Sequence, residues 1–124
     1  MLVEMLPERY VRSFRSGEIV FDEGAPGTHM YVVQEGSVRI RRGADGAPLN
    51  VVETGEIFGE MALIDGSPRS APAVAGPDGA RVIEIDHALF IYLVGQQPAF
   101  PLMVMQCLAR RLRQREAAAA GRPA

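Results

Sequence analysis

Gly55-Glu-Ile-Phe-Gly-Glu-Met-Ala-Leu-Ile-Asp-Gly-Ser-Pro-Arg-Ser-Ala71 does not fit the strand pattern of the chain around it. Glu60 to Ile64 are mostly good helix formers, preceded by Gly59 and stopped by Gly66 and Pro68. The pattern predicts about one helical turn between strands, and a turn so short is not stable alone because nucleation dominates its energetics. Something must hold it, and its free N-terminal amides make an anion site. Arg69 follows in the same insertion, nine positions after Glu60. A single Arg near exposed helix-terminal N–H groups suits an inward-facing phosphate. Gly59 lets a ligand approach the backbone closely. Glu60 offers a carboxylate to a sugar hydroxyl, and Ser70 and Ala71 add a hydroxyl and two amides. One phosphate, one sugar and one base would use all of these pieces.

On either side of this insertion the chain reads as strands. Val11 to Phe14, Glu18 to Phe21, Met30 to Gln34, Val38 to Arg41, Leu49 to Glu53, Ala73 to Ala75 and Arg81 to Asp86 are β-type runs. Glycine-bearing segments separate them, among them Ser16-Gly17, Glu35-Gly36, Thr54-Gly55 and Gly76-Pro-Asp-Gly79, and Asp45-Gly46 is a hairpin-turn signal. Short strands at this spacing predict a sandwich or barrel. After Asp86, a fitting N-cap, the pattern turns helical: one helix over His87 to Val94, ended by Gly95 and Pro98, and a second from about Pro101 to Ala120. In the second, Leu102, Met105, Leu108, Ala109 and Leu112 form an apolar stripe. Arg110, Arg111, Arg113 and Arg115 read as its solvated C-terminal end, and Gly121 to Ala124 as a fraying tail. The expectation is one domain over 1–124, with a roll at 11–86 and a helical lid region at 87–120.

Composition narrows the function classes. The 124 residues are 48% hydrophobic and 23% charged, ordinary for a globular chain, with a net charge of −2 that gives no global attraction to nucleic acid or anionic membrane. Cys107 is the single cysteine, so there is no intrachain disulfide, which fits a reducing compartment. It reads as a small packed residue rather than a nucleophile. Met1-Leu-Val-Glu-Met-Leu-Pro7 lacks the basic region and apolar run of a secretory signal, and no apolar stretch approaches the ~20 residues that span a bilayer. The expected location is cytoplasmic, with no direct contact to nucleic acid or membrane. His29 and His87, the only histidines, have no metal-like partner at useful spacing. A metal-dependent enzyme on a similar roll is therefore disfavoured, and the chain reads as a non-enzyme with no metal and no catalytic residue.

Phe58-Gly-Glu-Met-Ala-Leu-Ile-Asp-Gly-Ser-Pro-Arg-Ser-Ala71 resembles the phosphate-binding cassette of the cyclic-nucleotide-binding domain family. Gly17-Glu-Ile-Val-Phe-Asp-Glu-Gly24 and Met30-Tyr-Val-Val-Gln-Glu-Gly-Ser-Val-Arg-Ile40 are similar to the family's first hairpins. The family includes the catabolite activator protein, regulatory subunits of cyclic-nucleotide-dependent kinases and cyclic-nucleotide-gated channels. The resemblance implies a mainly β fold with C-terminal helices: a β-roll, or double-stranded jelly-roll-like barrel, carrying an inserted phosphate-binding helix and a terminal lid helix. It implies a ligand-binding set of Phe58, Gly59, Glu60, Met61, Ala62, Arg69, Ser70 and Ala71. Gly59 and Glu60 would meet the ribose, with Glu60 accepting from the 2′-hydroxyl. Arg69 would pair with the cyclic phosphate, assisted by Ser70 and the Ala71 amide. Pro72 departs from the Thr that many members place there, and Ser70 leans toward cAMP over cGMP.

The expected function is a ligand sensor, with cAMP or cGMP as ligand and no cofactor. Binding would bias two positions of the terminal helices and so act on an effector protein that the sequence does not identify. Only eight residues follow Glu116, so no output domain is expected in this chain. The alternative is a module of the same fold that binds no ligand and dimerises. The stripe on the last helix permits a homodimer, and the same residues could instead pack on the roll.

Overall fold

The computed structural model describes residues 6–41 and 48–120. The Asp45-Gly46 turn and the tail from Gly121 lie outside the described residues. A short 3-10 turn at Glu8–Tyr10 leads into six strands: β1 (Val11–Phe14), β2 (Ile19–Phe21), β3 (His29–Arg41), β4 (Pro48–Val52), β5 (Ile57–Phe58) and β6 (Ala73–Asp86). The helices are α1 (Glu60–Asp65), α2 (His87–Gln96) and α3 (Ala99–Ala120). All pairings are antiparallel, in the order β1-β6-β3-β4, with β2 also on β6 and β5 also on β3. The β-roll expectation holds: this is a mainly antiparallel fold with C-terminal helices.

Alternation along β3 and β6 sorts the core into two parts. Tyr31, Val33, Val38, Ala80 and Val82 point into the roll, where they meet Phe14, Val52 and Phe58. Met30, Val32, Ile83 and Ile85 point the other way, toward Leu89 and Leu93 of α2 and Phe100, Val104 and Cys107 of α3. Cys107 is thus a packed residue, as its helical setting implied. Asp86 caps α2, its carboxylate accepting from the Leu89 amide at 2.8 Å.

Two expectations need correction, and one left open is decided. The four runs on either side of Glu35-Gly36 and Gly76–Gly79 are two long strands, not four short ones. Gly36 and Gly79 have φ of +78° and +77°, and a Cβ on Gly36 would stand 2.1 Å from the Gly79 carbonyl oxygen. The two glycines let β3 and β6 cross at contact distance through irregular register, so the ladder continues where glycine suggested a turn. Helix α2 runs through Gly95 to Gln96, and α3 starts at Ala99 rather than Pro101. The buried side of α3 is Phe100, Val104 and Cys107, whereas Leu102, Met105 and Leu112 of the expected stripe are 52%, 59% and 58% exposed.

Candidate functional site

The site begins where β5 ends. Ile57 and Phe58 pair with Val32 and Tyr31, which pins the start of the insertion to the middle of the sheet. Gly59 then turns at φ +74° to cap α1, a left-handed conformation that costs a side-chain-bearing residue roughly 1–2 kcal/mol. Space demands glycine as well, since a Cβ there would stand 2.7 Å from Arg69 Nη1 and 3.3 Å from Tyr31 Cδ2. Helix α1 covers six residues and stops at Gly66, also left-handed, whose amide donates to the Ala62 carbonyl. Ser67 bonds the Asp65 carboxylate with its amide and its hydroxyl, closing the turn.

Arg69 points inward and is only 6% exposed. Nη1 donates to the Gly59 carbonyl and Nη2 to the His29 carbonyl, both at 2.8 Å, while Nε is buried without an acceptor. The main chain of Arg69 is fastened to the turn after β2: its amide donates to Ala25 O at 2.9 Å, and its carbonyl accepts from Gly24 N at 2.7 Å. Gly27 lies over the same side chain, where a Cβ would stand 2.6 Å from Arg69 Cζ and Nε. Burial lowers the Arg69 pKa, opposed by Tyr31 and Glu60; burial raises that of Tyr31, with Glu84 adding to the rise and Arg69 and Arg12 opposing it. A buried cation held by two carbonyls, with a donor left over, has the charge and the donor that an anion requires.

Glu60, also 6% exposed, is the other buried charge among the described residues. Its carboxylate accepts from Arg111 Nη1 at 3.0 Å, and Arg111 Nη2 donates to the Ile57 carbonyl. This corrects the reading of Arg110 to Arg115 as a uniformly solvated end. Arg113 and Arg115 are exposed, but Arg111 reaches across to the insertion, and Arg110 stands 3.6 Å from Glu56. Arg111 and the carbonyl of His29 are the site groups that sequence reasoning missed.

Of the eight expected residues, Gly59, Glu60, Ala62 and Arg69 converge around one buried cluster. Phe58 and Ala71 are buried beside it, whereas Met61 and Ser70 are exposed. Among the described residues, no group of three or more His, Cys, Asp or Glu could hold a metal ion. No single helix among them is long and apolar enough to cross a membrane.

The profile of the family described as cyclic nucleotide-binding domain matches residues 11–97. A CRP-like cAMP-activated global transcriptional regulator of Mycobacterium tuberculosis is 32% identical over 104 residues, covering 82% of this chain and 46% of that protein. A cyclic nucleotide-gated potassium channel of Mesorhizobium japonicum is 36% identical over 100 residues, covering 79% of this chain and 26% of the channel. The crystal structure of Thermus thermophilus catabolite activator protein superposes with a TM-score of 0.75 at 31% identity, over 89% of this chain and 53% of that one. The chain therefore spans about half the length of the regulator, and a quarter of the channel.

Proposed function

The chain belongs to the cyclic nucleotide-binding domain family, and we propose that it forms a regulatory sensor domain that binds one cyclic nucleotide, cAMP in preference to cGMP. The observation that carries this reading is Arg69, a buried guanidinium fixed by two main-chain carbonyls, with its Nε lacking an acceptor. A cyclic phosphodiester brings one negative charge to one positive charge, and a charge-assisted bond to the unpaired donor is worth roughly 1.5–3 kcal/mol. Ser70 and the Ala71 amide complete the phosphate contacts. Gly59 and Glu60 meet the ribose, with Arg111 sharing the Glu60 carboxylate. Phe58, Met61 and Ala62 wall the site. The preference for cAMP rests on Ser70 and on relatives whose names carry that ligand.

The module performs no chemistry on its ligand. Its output is the position of α3, which Arg111 ties to the ribose-binding carboxylate. Ligand shifts that position by as much as its contacts differ between the two placements of the helix. The effector is a protein that reads α3; neither nucleic acid nor membrane is contacted by this module. A cytoplasmic location agrees with the single cysteine. Calorimetric titration of the purified protein with cAMP and cGMP tests the reading. A micromolar complex corresponds to about −8 kcal/mol, and cAMP is expected to bind the more tightly. Absence of binding by both contradicts it.

A second role has its own support. Leu102, Met105 and Leu112 are exposed at three- and seven-residue steps along one side of α3. A symmetric homodimer through this helix would cover them. Sedimentation across a concentration series tests this, and a monomer throughout contradicts it. A dimer that ignores cyclic nucleotides would instead favour the ligand-free interaction module.

A further inference from the structure

The guanidinium of Arg69 rests on aromatic rings. Its Cζ lies 4.1 Å from the centre of the Phe21 ring and 5.6 Å from that of Tyr31. Those two rings and Phe58 form a closed triangle: Tyr31 and Phe58 stack at 4.8 Å, and Phe21 stands 6.1 Å from the first and 6.0 Å from the second. The three come from β2, β3 and β5, so the triangle forms only in the folded roll. Phe21 ends β2, and the turn immediately after it carries Gly24 and Ala25, which grip the main chain of Arg69. Ring and arginine are therefore held in one frame.

We propose that Phe21 and Tyr31 are positioning residues that seat the Arg69 guanidinium before ligand arrives, so that its unpartnered Nε edge meets the phosphate already oriented. This rests on the reading of Arg69 as the phosphate ligand. An arginine side chain loses much rotamer freedom when it is immobilised, and a seat that fixes it in advance removes that cost from binding. An aromatic face suits the task because it attracts a cation through its quadrupole without neutralising it. A carboxylate in the same place would hold the guanidinium equally well but would compete with the phosphate for its donors. The rings orient the cation and leave its charge for the ligand. Leucine at position 21 fills similar space without the negative face.

The test combines calorimetry with NMR of the Arg69 side chain in the full chain. In the wild type, the Arg69 Hδ and Hε resonances are expected upfield of their ordinary positions, shifted by the Phe21 ring current. Phe21→Leu is expected to lose that shift and to weaken cAMP binding by about five- to thirtyfold, the worth of a desolvated cation–π contact. Phe21→Trp restores a π face and is expected to recover both the upfield shift and affinity to within about threefold. Ordinary Arg69 resonances in the wild type overturn the seat, a measurement that needs no variant to fold. So does Phe21→Leu binding at wild-type affinity. A wild type that binds no cyclic nucleotide but keeps the upfield resonances defeats the nucleotide reading and leaves the seat intact.

Discussion

Arg111 of α3 and Glu60 of α1 are joined at 3.0 Å across 51 positions of sequence. The same arginine donates to the Ile57 carbonyl, so one side chain ties the last helix to the start of the insertion at two points. The Glu60 side chain is 8% exposed and that of Arg111 21%, a geometry in which loss of one partner leaves the other charge poorly solvated. Arg111→Ala is therefore expected to cost about 1–3 kcal/mol in urea unfolding, toward the low end because the arginine is partly wet. Hydrogen exchange should rise along α3 around residue 111. Unchanged exchange there would show that the helix is held by its apolar contacts alone.

Gly27 tests the packing around the arginine. Its φ lies outside the left-handed region, so alanine meets no backbone penalty there, but the new Cβ would stand 2.5 Å from Ala62 Cβ and 2.6 Å from Arg69 Cζ and Nε. Gly27→Ala should displace the guanidinium and weaken cAMP binding by tenfold or more, roughly 1.4 kcal/mol, while circular dichroism remains native. Wild-type affinity would mean that Arg69 can shift without loss.

The pH dependence of the turn after α1 has a definite sign. Hydrogen bonds from the Ser67 hydroxyl and amide hold the Asp65 carboxyl below its ordinary pKa. A depressed carboxyl pKa gives stability that is present above the ordinary range and lost as pH falls through the lowered value. Ser67→Ala removes the hydroxyl bond and should raise the Asp65 pKa part of the way back, read by NMR titration of its side-chain carbon. An unmoved titration would show that the amide alone sets it.

Phe100 anchors α3 to the sheet and is fully buried. Phe100→Ala should cost about 3–5 kcal/mol by chemical denaturation. It should also loosen the Arg111–Glu60 pair, since the helix then loses one of its three buried apolar anchors. A loss below 1 kcal/mol would place the anchoring elsewhere on the helix.

The cassette was legible in the sequence because its chemistry is local. Gly59, Glu60, Gly66, Pro68 and Arg69 each announce a conformation or a charge, and the inward course of Arg69 follows from them. Groups supplied by the main chain were not legible. The His29 carbonyl takes part through its backbone, which any residue would provide. Arg111 was hidden among similar neighbours: Arg110, Arg113 and Arg115 carry the same charge, and only the angle at which α3 lies on the roll selects one of them. The sequence leaves that angle open because α3 has apolar residues on two sides. Phe100, Val104 and Cys107 compete with Leu102, Met105 and Leu112, and the stripe with the cleaner spacing is the exposed one. Glycine misled in β3 and β6 for a related reason, since φ near +78° serves a strand crossing as well as a turn.

In the proposed function, one buried guanidinium, fixed by carbonyls and unpaired at Nε, receives a cyclic phosphate. The most direct measurement is calorimetric titration of cAMP into the wild type, Arg69→Lys and Arg69→Ala. Lysine keeps the charge but lacks the planar fork whose two Nη arms reach Gly59 O and His29 O while Nε stays unpaired. Both variants are expected to lose about 3–5 kcal/mol of binding, a hundredfold or more, because the phosphate would be left poorly paired in a buried site. Affinity within a few-fold of wild type in either variant would contradict the account.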